Sequence, residues 1–375
     1  MEEIYLDNAA STPLDPRVLE TLIYASKVYF GNPSNTRHHY GRTASQALEK
    51  ARVSIGTNLG LDPQGIIFTS GATEANNLAL RGLGCLQNKC TVLISQLEHP
   101  CIDESAKFLL KRGIKVLTIP TQVNGVVHLP SLEALIAATP DIKLISVMLV
   151  NNETGVIQPI QDIIRLARKK GILVHTDAAQ GIGKVDPASF RGADMVSISA
   201  HKINGPKGIG CLWMRPDLSI SPLLVGGGQE KGIRSGTTPV PLILAFAKAV
   251  EISRDTAWLP VVGQAMTSLE VAVQKAIPEC VINGYGAPRV ATTVNISFPF
   301  NTPVINVLQG VAASMGAACG CDKPEPSKVL TAMGSPSKLA KNCLRISAGR
   351  TNTLEDIIKA RELIIIAAKK AQQSN

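Results

Sequence analysis

Aromatic side chains make up only 4% of the 375 residues, so the stacking platforms that single-stranded nucleic-acid binders use are poorly supplied. Direct binding of nucleic acid is not expected. Eight cysteines in a chain of this length are too dilute for a disulfide-stapled secreted scaffold, and Met1 leads into the acidic pair Glu2-Glu3 where a signal peptide would have a basic stretch and an apolar segment. A cytoplasmic protein with reduced thiols is the expectation. No apolar run approaches the roughly 20 residues of a membrane span; the longest, Leu363 to Ala368, falls far short. No membrane partner is expected. Two nucleotide signatures are also missing: Gly181-Ile182-Gly183-Lys184 imitates only one end of a G-x-x-x-x-G-K-[ST] loop, and no G-x-G-x-x-G follows the first strand.

What is present is globular. Hydrophobic residues reach 45% and charged ones 18%, which excludes disorder, collagen and coiled coil. The 38 Lys and Arg against 29 Asp and Glu leave +9, a balance that suits a phosphorylated or acidic ligand and equally describes a solvated surface. Seven short apolar runs alternate with helical patterns: 66–69, 92–95, 116–119, 144–148, 172–175, 195–198 and 210–213. Near-continuous apolar strands separated by helices such as 132–138 and 160–170 predict an α/β fold with a mainly parallel sheet. After about Asp255 the texture changes to a helix over 261–276, a strand at 294–298, a Gly- and Pro-rich loop over 316–326, a strand near 344–347 and a last helix opened by Thr353. That mixed order predicts a smaller α+β unit.

In such sheets ligands gather beyond the carboxyl ends of the strands. The first run is followed by Ser70-Gly71-Ala72-Thr73, a glycine turn opening a helix and therefore a candidate anion site. Glu98-His99-Pro100 follows the second, Asn151-Asn152-Glu153 the fourth, His175-Thr176-Asp177 closes the fifth, and Ser199-Ala200-His201-Lys202 follows the sixth. A lysine and a carboxylate on neighbouring strand ends, with an anion site and a histidine, are what a pyridoxal 5'-phosphate site requires. Lys202 would hold the aldehyde as a Schiff base, Asp177 would keep the pyridine nitrogen protonated, and His99 would stack on the ring and move protons. Cys319 and Cys321 stand in the loop before Pro324, where a thiol can be an exposed nucleophile; with Cys343 they are alternatively part of a metal site, though no fourth ligand has usual spacing. Cys85, Cys90, Cys101, Cys211 and Cys280 read as packing residues.

These motifs, together with Tyr5-Leu6-Asp7-Asn8-Ala9-Ala10, Gly31-Asn32-Pro33-Ser34, Asp177-Ala178-Ala179-Gln180, His201-Lys202-Ile203-Asn204-Gly205-Pro206-Lys207-Gly208, Gly226-Gly227-Gly228-Gln229-Glu230, Arg234-Ser235-Gly236-Thr237 and Ala318-Cys319, run nearly end to end. The chain resembles the cysteine desulfurases, class V members of the fold-type-I pyridoxal-phosphate transferases that serve iron–sulfur cluster assembly. The resemblance implies a large cofactor-binding domain over 15–257 with a seven-stranded sheet, and a small domain of 1–14 plus 258–375 that carries the cysteine loop. It also implies the roles. Lys202 carries the cofactor, Asp177 holds its ring nitrogen, His99 stacks, and Gln180 bonds the phenolic oxygen. Thr73, Ser199 and His201 hold the phosphate, with Thr237 reaching from a second subunit of a homodimer. Ala72 and Asn152 belong to the cofactor set, and Asn152 joins Arg345 in clamping the substrate carboxylate. Cys319 takes the sulfur of L-cysteine as a persulfide and passes it to an acceptor protein, an iron–sulfur scaffold or a tRNA-thiolation protein.

The sequence departs from the family pattern at Ala200, usually glycine, at Ala317, usually serine, and at Cys321, usually a hydroxyl residue. The end at Asn375 is shorter than in relatives that bind the scaffold there. A selenocysteine lyase and a non-enzymatic carrier of metal or cluster on the loop cysteines are the alternative readings.

Overall fold

Strands of four or five aliphatic and β-branched residues form the centre of the molecule because helices cover both their faces. The computed structural model describes residues 3–83, 90–316 and 325–374. The chain begins with β1 (Ile4–Tyr5), α1 (Pro16–Val28) and α2 (His39–Leu59), then alternates through β2 (Ile66–Thr69), α3 (Ala72–Arg81), β3 (Thr91–Ser95), α4 (Pro100–Lys111), β4 (Lys115–Ile119), α5 (Leu129–Ala138), β5 (Ile142–Ser146), α6 (Ile160–Arg168), β6 (Leu173–Asp177), β7 (Met195–Ser199) and β8 (Gly210–Met214). It continues with α7 (Val240–Ser253), α8 (Trp258–Ala276), β9 (Val281–Ile282), β10 (Thr293–Ser297), α9 (Val304–Val307), β11 (Val311–Ala312), α10 (Lys328–Ala332), α11 (Ser337–Lys341), β12 (Cys343–Ser347) and α12 (Leu354–Gln373).

The seven-stranded sheet has the order β2-β8-β7-β6-β5-β3-β4. Only β8 runs against its neighbours; the pairs from β7 to β4 are parallel. Side chains alternate between the two faces, so Ile66 and Phe68 enter one apolar cluster and Ile67 the other. The expected run 144–148 is displaced: β5 closes at Ser146, yet the N–H groups of Val147 and Leu149 go on donating to His175 and Asp177 at 3.1 and 2.9 Å. That extension delivers Asn151 and Asn152 to the carboxyl end of the sheet.

A separate cluster gathers α8, β10, β12 and α12, and Ile4 and Leu6 belong to it. β1 pairs in parallel with β11, and Asp7 bridges to Ser347, so the first residues lie beside the last third of the chain. Thr353 caps α12, its hydroxyl accepting from the Asp356 N–H while the Asp356 carboxylate accepts from the Thr353 N–H. Among the described residues, no helix is long and apolar enough to cross a membrane.

Candidate active site

A cavity of about 610 Å³ opens at the carboxyl ends of β2, β3, β6 and β7. Its first wall is the start of α3. Gly71 is the N-cap at φ 151°, where a side chain would be strained, and contributes no side-chain cap bond. A Cβ on Gly210 would fall 2.8 Å from the Gly71 Cα, so β8 can lie this close only as glycine. The first N–H groups of α3 and the dipole behind them therefore face the cavity beside Ala72 and Thr73. Across from them the Ser199 hydroxyl is buried and has no hydrogen-bond partner among the described residues. His201 completes this end; burial, then the charges of Lys202 and Lys207, push its pKa down to about 4, so it is neutral.

The second wall joins a carboxylate to an imidazole. Asp177 closes β6 and lines the cavity. Its Oδ1 accepts from the Ala179 N–H at 2.9 Å, and its Oδ2 accepts from Asn76 Nδ2 at 2.6 Å. The same Asn76 amide lies 3.1 Å from the Cys101 sulfur, which is 3.0 Å from His99 Nδ1. His99 caps α4, its Nδ1 accepting from the Cys101 N–H at 3.2 Å, which leaves the proton of the neutral ring on Nε2. Burial, opposed by Asp177, holds the imidazole below its usual pKa. Cys101, expected to be a packing thiol, does pack in an apolar cluster with Ile102 and Ala106, and it also lines the cavity. Burial pushes its thiol up to about 12, so it stays protonated.

The third wall carries the cations. Lys202 sits three residues beyond β7, the strand next to that of Asp177, in a short helical turn, and its Nζ donates to the carbonyls of Ala9 and Ala10 at 2.6 and 2.8 Å. Gln180 Nε2 donates to the same Ala9 carbonyl at 2.7 Å. Arg345, on β12, is 1% exposed. It ion-pairs with Asp7 at 2.7 Å, donates to the Asn152 carbonyl at 3.2 Å, and keeps a buried Nε without a partner among the described residues. Asn152 and Arg345 both line the cavity.

One described residue expected here is not in this set: Thr237 is exposed and is not among the residues lining the cavity of its own chain. Cys319 and Cys321 lie outside the described residues, as does Cys85. Among the described residues, no three His, Cys, Asp or Glu side chains are placed to hold a metal. Asn76, Asp7 and Cys101 join the site without having been expected there. Asn76 stands three positions after Thr73 and so shares its helix face, a signal the sequence did contain. Asp7 reaches Arg345 across 338 positions, and no local pattern announces it.

The sequence model of the aminotransferase class-V family matches residues 4–359. The chain belongs to this family. Within it the chain is a cysteine desulfurase: it is 39% identical over 383 residues to "Cysteine desulfurase IscS" of Rickettsia massiliae, covering 99% of this chain and 92% of that one. A solved NifS-like protein superposes with a TM-score of 0.87 at 35% identity, covering 98% of this chain and 100% of its own. A structure described as SspA in complex with cysteine superposes at 0.80, 36% identical, over 92% and 98% of the two chains. The family works with pyridoxal 5'-phosphate, and the neighbours share the fold-type-I architecture.

Beside His99 lies Glu98, 2% exposed. Its Oε1 accepts from the Ser95 hydroxyl at 2.5 Å and the Met148 N–H at 2.8 Å, and its Oε2 has no partner among the described residues. Burial, with the charges of Asp177 and Asp103 adding, pushes its pKa from 4.5 to about 8. The folded protein therefore keeps this proton up to about pH 8 while the unfolded chain loses it near pH 4.5, so this group's contribution to stability falls as pH rises between those values. Glu98→Gln imitates the protonated acid and removes that fall. Urea midpoints should favour the variant over the parent more at pH 8 than at pH 5; a difference that does not change with pH contradicts the assignment.

Proposed function

We propose that the cavity binds pyridoxal 5'-phosphate on Lys202 and removes sulfur from L-cysteine, leaving L-alanine and a persulfide on Cys319. The observation that carries this reading is the set around one cavity: an uncapped helix start facing an unpartnered buried Ser199 hydroxyl, with Asp177 and the Lys202 amine on adjacent strand ends. The residues fit the group. Ala72, Thr73, Ser199 and neutral His201 offer the donors that a phosphate needs, and none of them adds a competing anion. Asp177, fixed by Asn76, offers a carboxylate for the ring nitrogen. His99 offers a flat face with its proton on Nε2, and Gln180 an amide N–H for the phenolic oxygen.

When bound, the cofactor supplies an electron-poor ring that draws charge away from the substrate carbons next to its amine. The protein does the rest. Lys202 holds the cofactor through its amine and, once displaced, is placed to carry a proton to or from the adjacent carbon. Arg345 and Asn152 orient the substrate carboxylate. The Cys319 thiolate attacks the substrate sulfur and forms an S–S bond while the carbon–sulfur bond breaks; the electron pair stays with the carbon, which is protonated to give alanine.

Residues 15–257 and the set 1–14 plus 258–375 form two units, a division supported by the separate apolar clusters. A homodimer places Thr237 in the neighbouring cavity, supported by its exposure and by exposed Leu19, Ile23, Tyr24 and Phe30 on and after α1. An acceptor protein, a scaffold or a tRNA-thiolation protein, removes the persulfide. A cytoplasmic location is supported by Cys101, Cys211, Cys280 and Cys343, none of which forms a disulfide.

Cys319→Ala tests the sulfur step. Sulfide release from L-cysteine should fall to background while the cofactor stays bound; sulfide release at the parental rate would overturn the nucleophile assignment. Unimpaired selenide release by that variant, with sulfide lost, would favour a selenocysteine lyase. Cys321→Ala should leave turnover unchanged if the second thiol is a bystander.

A further inference from the structure

The lysine that closes the phosphate-loop-like stretch 181–184 has no part in the chemistry above, yet it points back at the site. The chain after β6 turns on itself, with the N–H groups of Lys184 and Val185 bonded to the Gly181 carbonyl. Gly183 makes that turn at φ 72°, where a Cβ would lie 3.0 Å from Ser253. The turn brings the Lys184 Nζ to the Gln180 Oε1 at 3.1 Å. Gln180 itself is 6% exposed and lines the cavity, with its Nε2 on the Ala9 carbonyl that also receives Lys202.

We propose that Lys184 is a positioning residue that fixes the Gln180 amide with its N–H, and not its carbonyl, turned toward the cavity. An ammonium has three donors and no acceptor, so it can face only the amide oxygen. The opposite rotamer would set the amide NH2 against the ammonium and the amide oxygen against the Ala9 carbonyl, losing two hydrogen bonds and creating two repulsions. In the observed rotamer one N–H is spent on Ala9 and the second is left for the cavity. The charge matters as well as the direction. Burial, then the charges of Lys202 and Arg345, push the Lys184 amine down to about 8, so the ammonium that fixes the amide is lost as pH rises past that value.

This inference rests on the cavity being the pyridoxal-phosphate site, and the experiment separates the two. Binding of pyridoxal 5'-phosphate to the purified protein is measured by the visible band of the holoenzyme and by the dissociation constant, for the parent, Lys184→Met, Lys184→Arg, Gln180→Leu and the double variant. Lys184→Met should weaken binding about tenfold, the loss of one oriented hydrogen bond to a charged oxygen, and should change the visible band. Lys184→Arg, which keeps a donor, should restore both. In the Gln180→Leu background the same Lys184→Met change should have no further effect, because Lys184 acts through that amide. A Lys184→Met protein with the parental constant and band overturns the proposal, as does a tenfold loss that persists without Gln180. If Lys184→Met does not fold, Lys184→Arg against Gln180→Leu carries the same comparison: parental binding in both overturns it. Failure of the parent itself to bind the cofactor sinks the underlying site reading, and the inference with it.

Discussion

Lys202→Ala should lower sulfide release from L-cysteine by on the order of 10³-fold, the scale expected for the proposed role of carrying the cofactor and moving a proton. The fold should survive. Lys202 donates to the carbonyls of Ala9 and Ala10, and the Ala9 carbonyl retains the Gln180 amide after the change. The end of the cavity proposed to hold the phosphate, built from α3, Ser199 and His201, is untouched. The variant should therefore still bind pyridoxal 5'-phosphate, without the covalent link. Two assays check this: sulfide release under saturating cysteine, and cofactor retention on denaturation after borohydride. A variant with parental turnover would move the chemistry to another amine.

Arg345→Ala should damage both stability and substrate binding. Its guanidinium is 1% exposed and paired with Asp7, whose side chain is 17% exposed. Removing one member of a buried pair leaves the other charge uncompensated, a cost of about 3 kcal/mol, at the low end of the usual range because Asp7 keeps some contact with water. The two losses are separable. Asp7→Asn breaks the same ion pair but leaves the guanidinium, so it should lower the urea midpoint with little change in KM for cysteine. Arg345→Lys should recover part of the stability and little of the affinity, since an ammonium cannot grip a carboxylate in two places. Equal KM changes in all three variants would show that Arg345 acts only as a structural ion pair.

The large sheet was legible because its signal is local. Each of the seven runs is a short apolar block, and burial on both faces makes such blocks continuous, so strands such as β2 and β7 begin where the sequence places them. The antiparallel direction of β8 was not legible, because nothing in Gly210–Met214 records which way the strand runs. At the site, Asp177, Ser199 and Lys202 could be found because each stands at or just past the carboxyl end of an apolar run. Of their supporting residues, Asn76 shares a helix face with Thr73, but its bond to Asp177 across 101 positions, like that of Asp7 to Arg345 across 338, leaves no periodicity. Lys184 resembles the end of a phosphate loop in sequence, and its role as a neighbour of Gln180 depends on the turn made by Gly183.

Borohydride reduction of the purified holoenzyme, followed by proteolysis and mass mapping, shows which amine carries pyridoxal 5'-phosphate. A single pyridoxyl adduct on the peptide containing Lys202 is expected; an adduct on Lys184 or Lys207 instead, or none on any lysine, would rule Lys202 out.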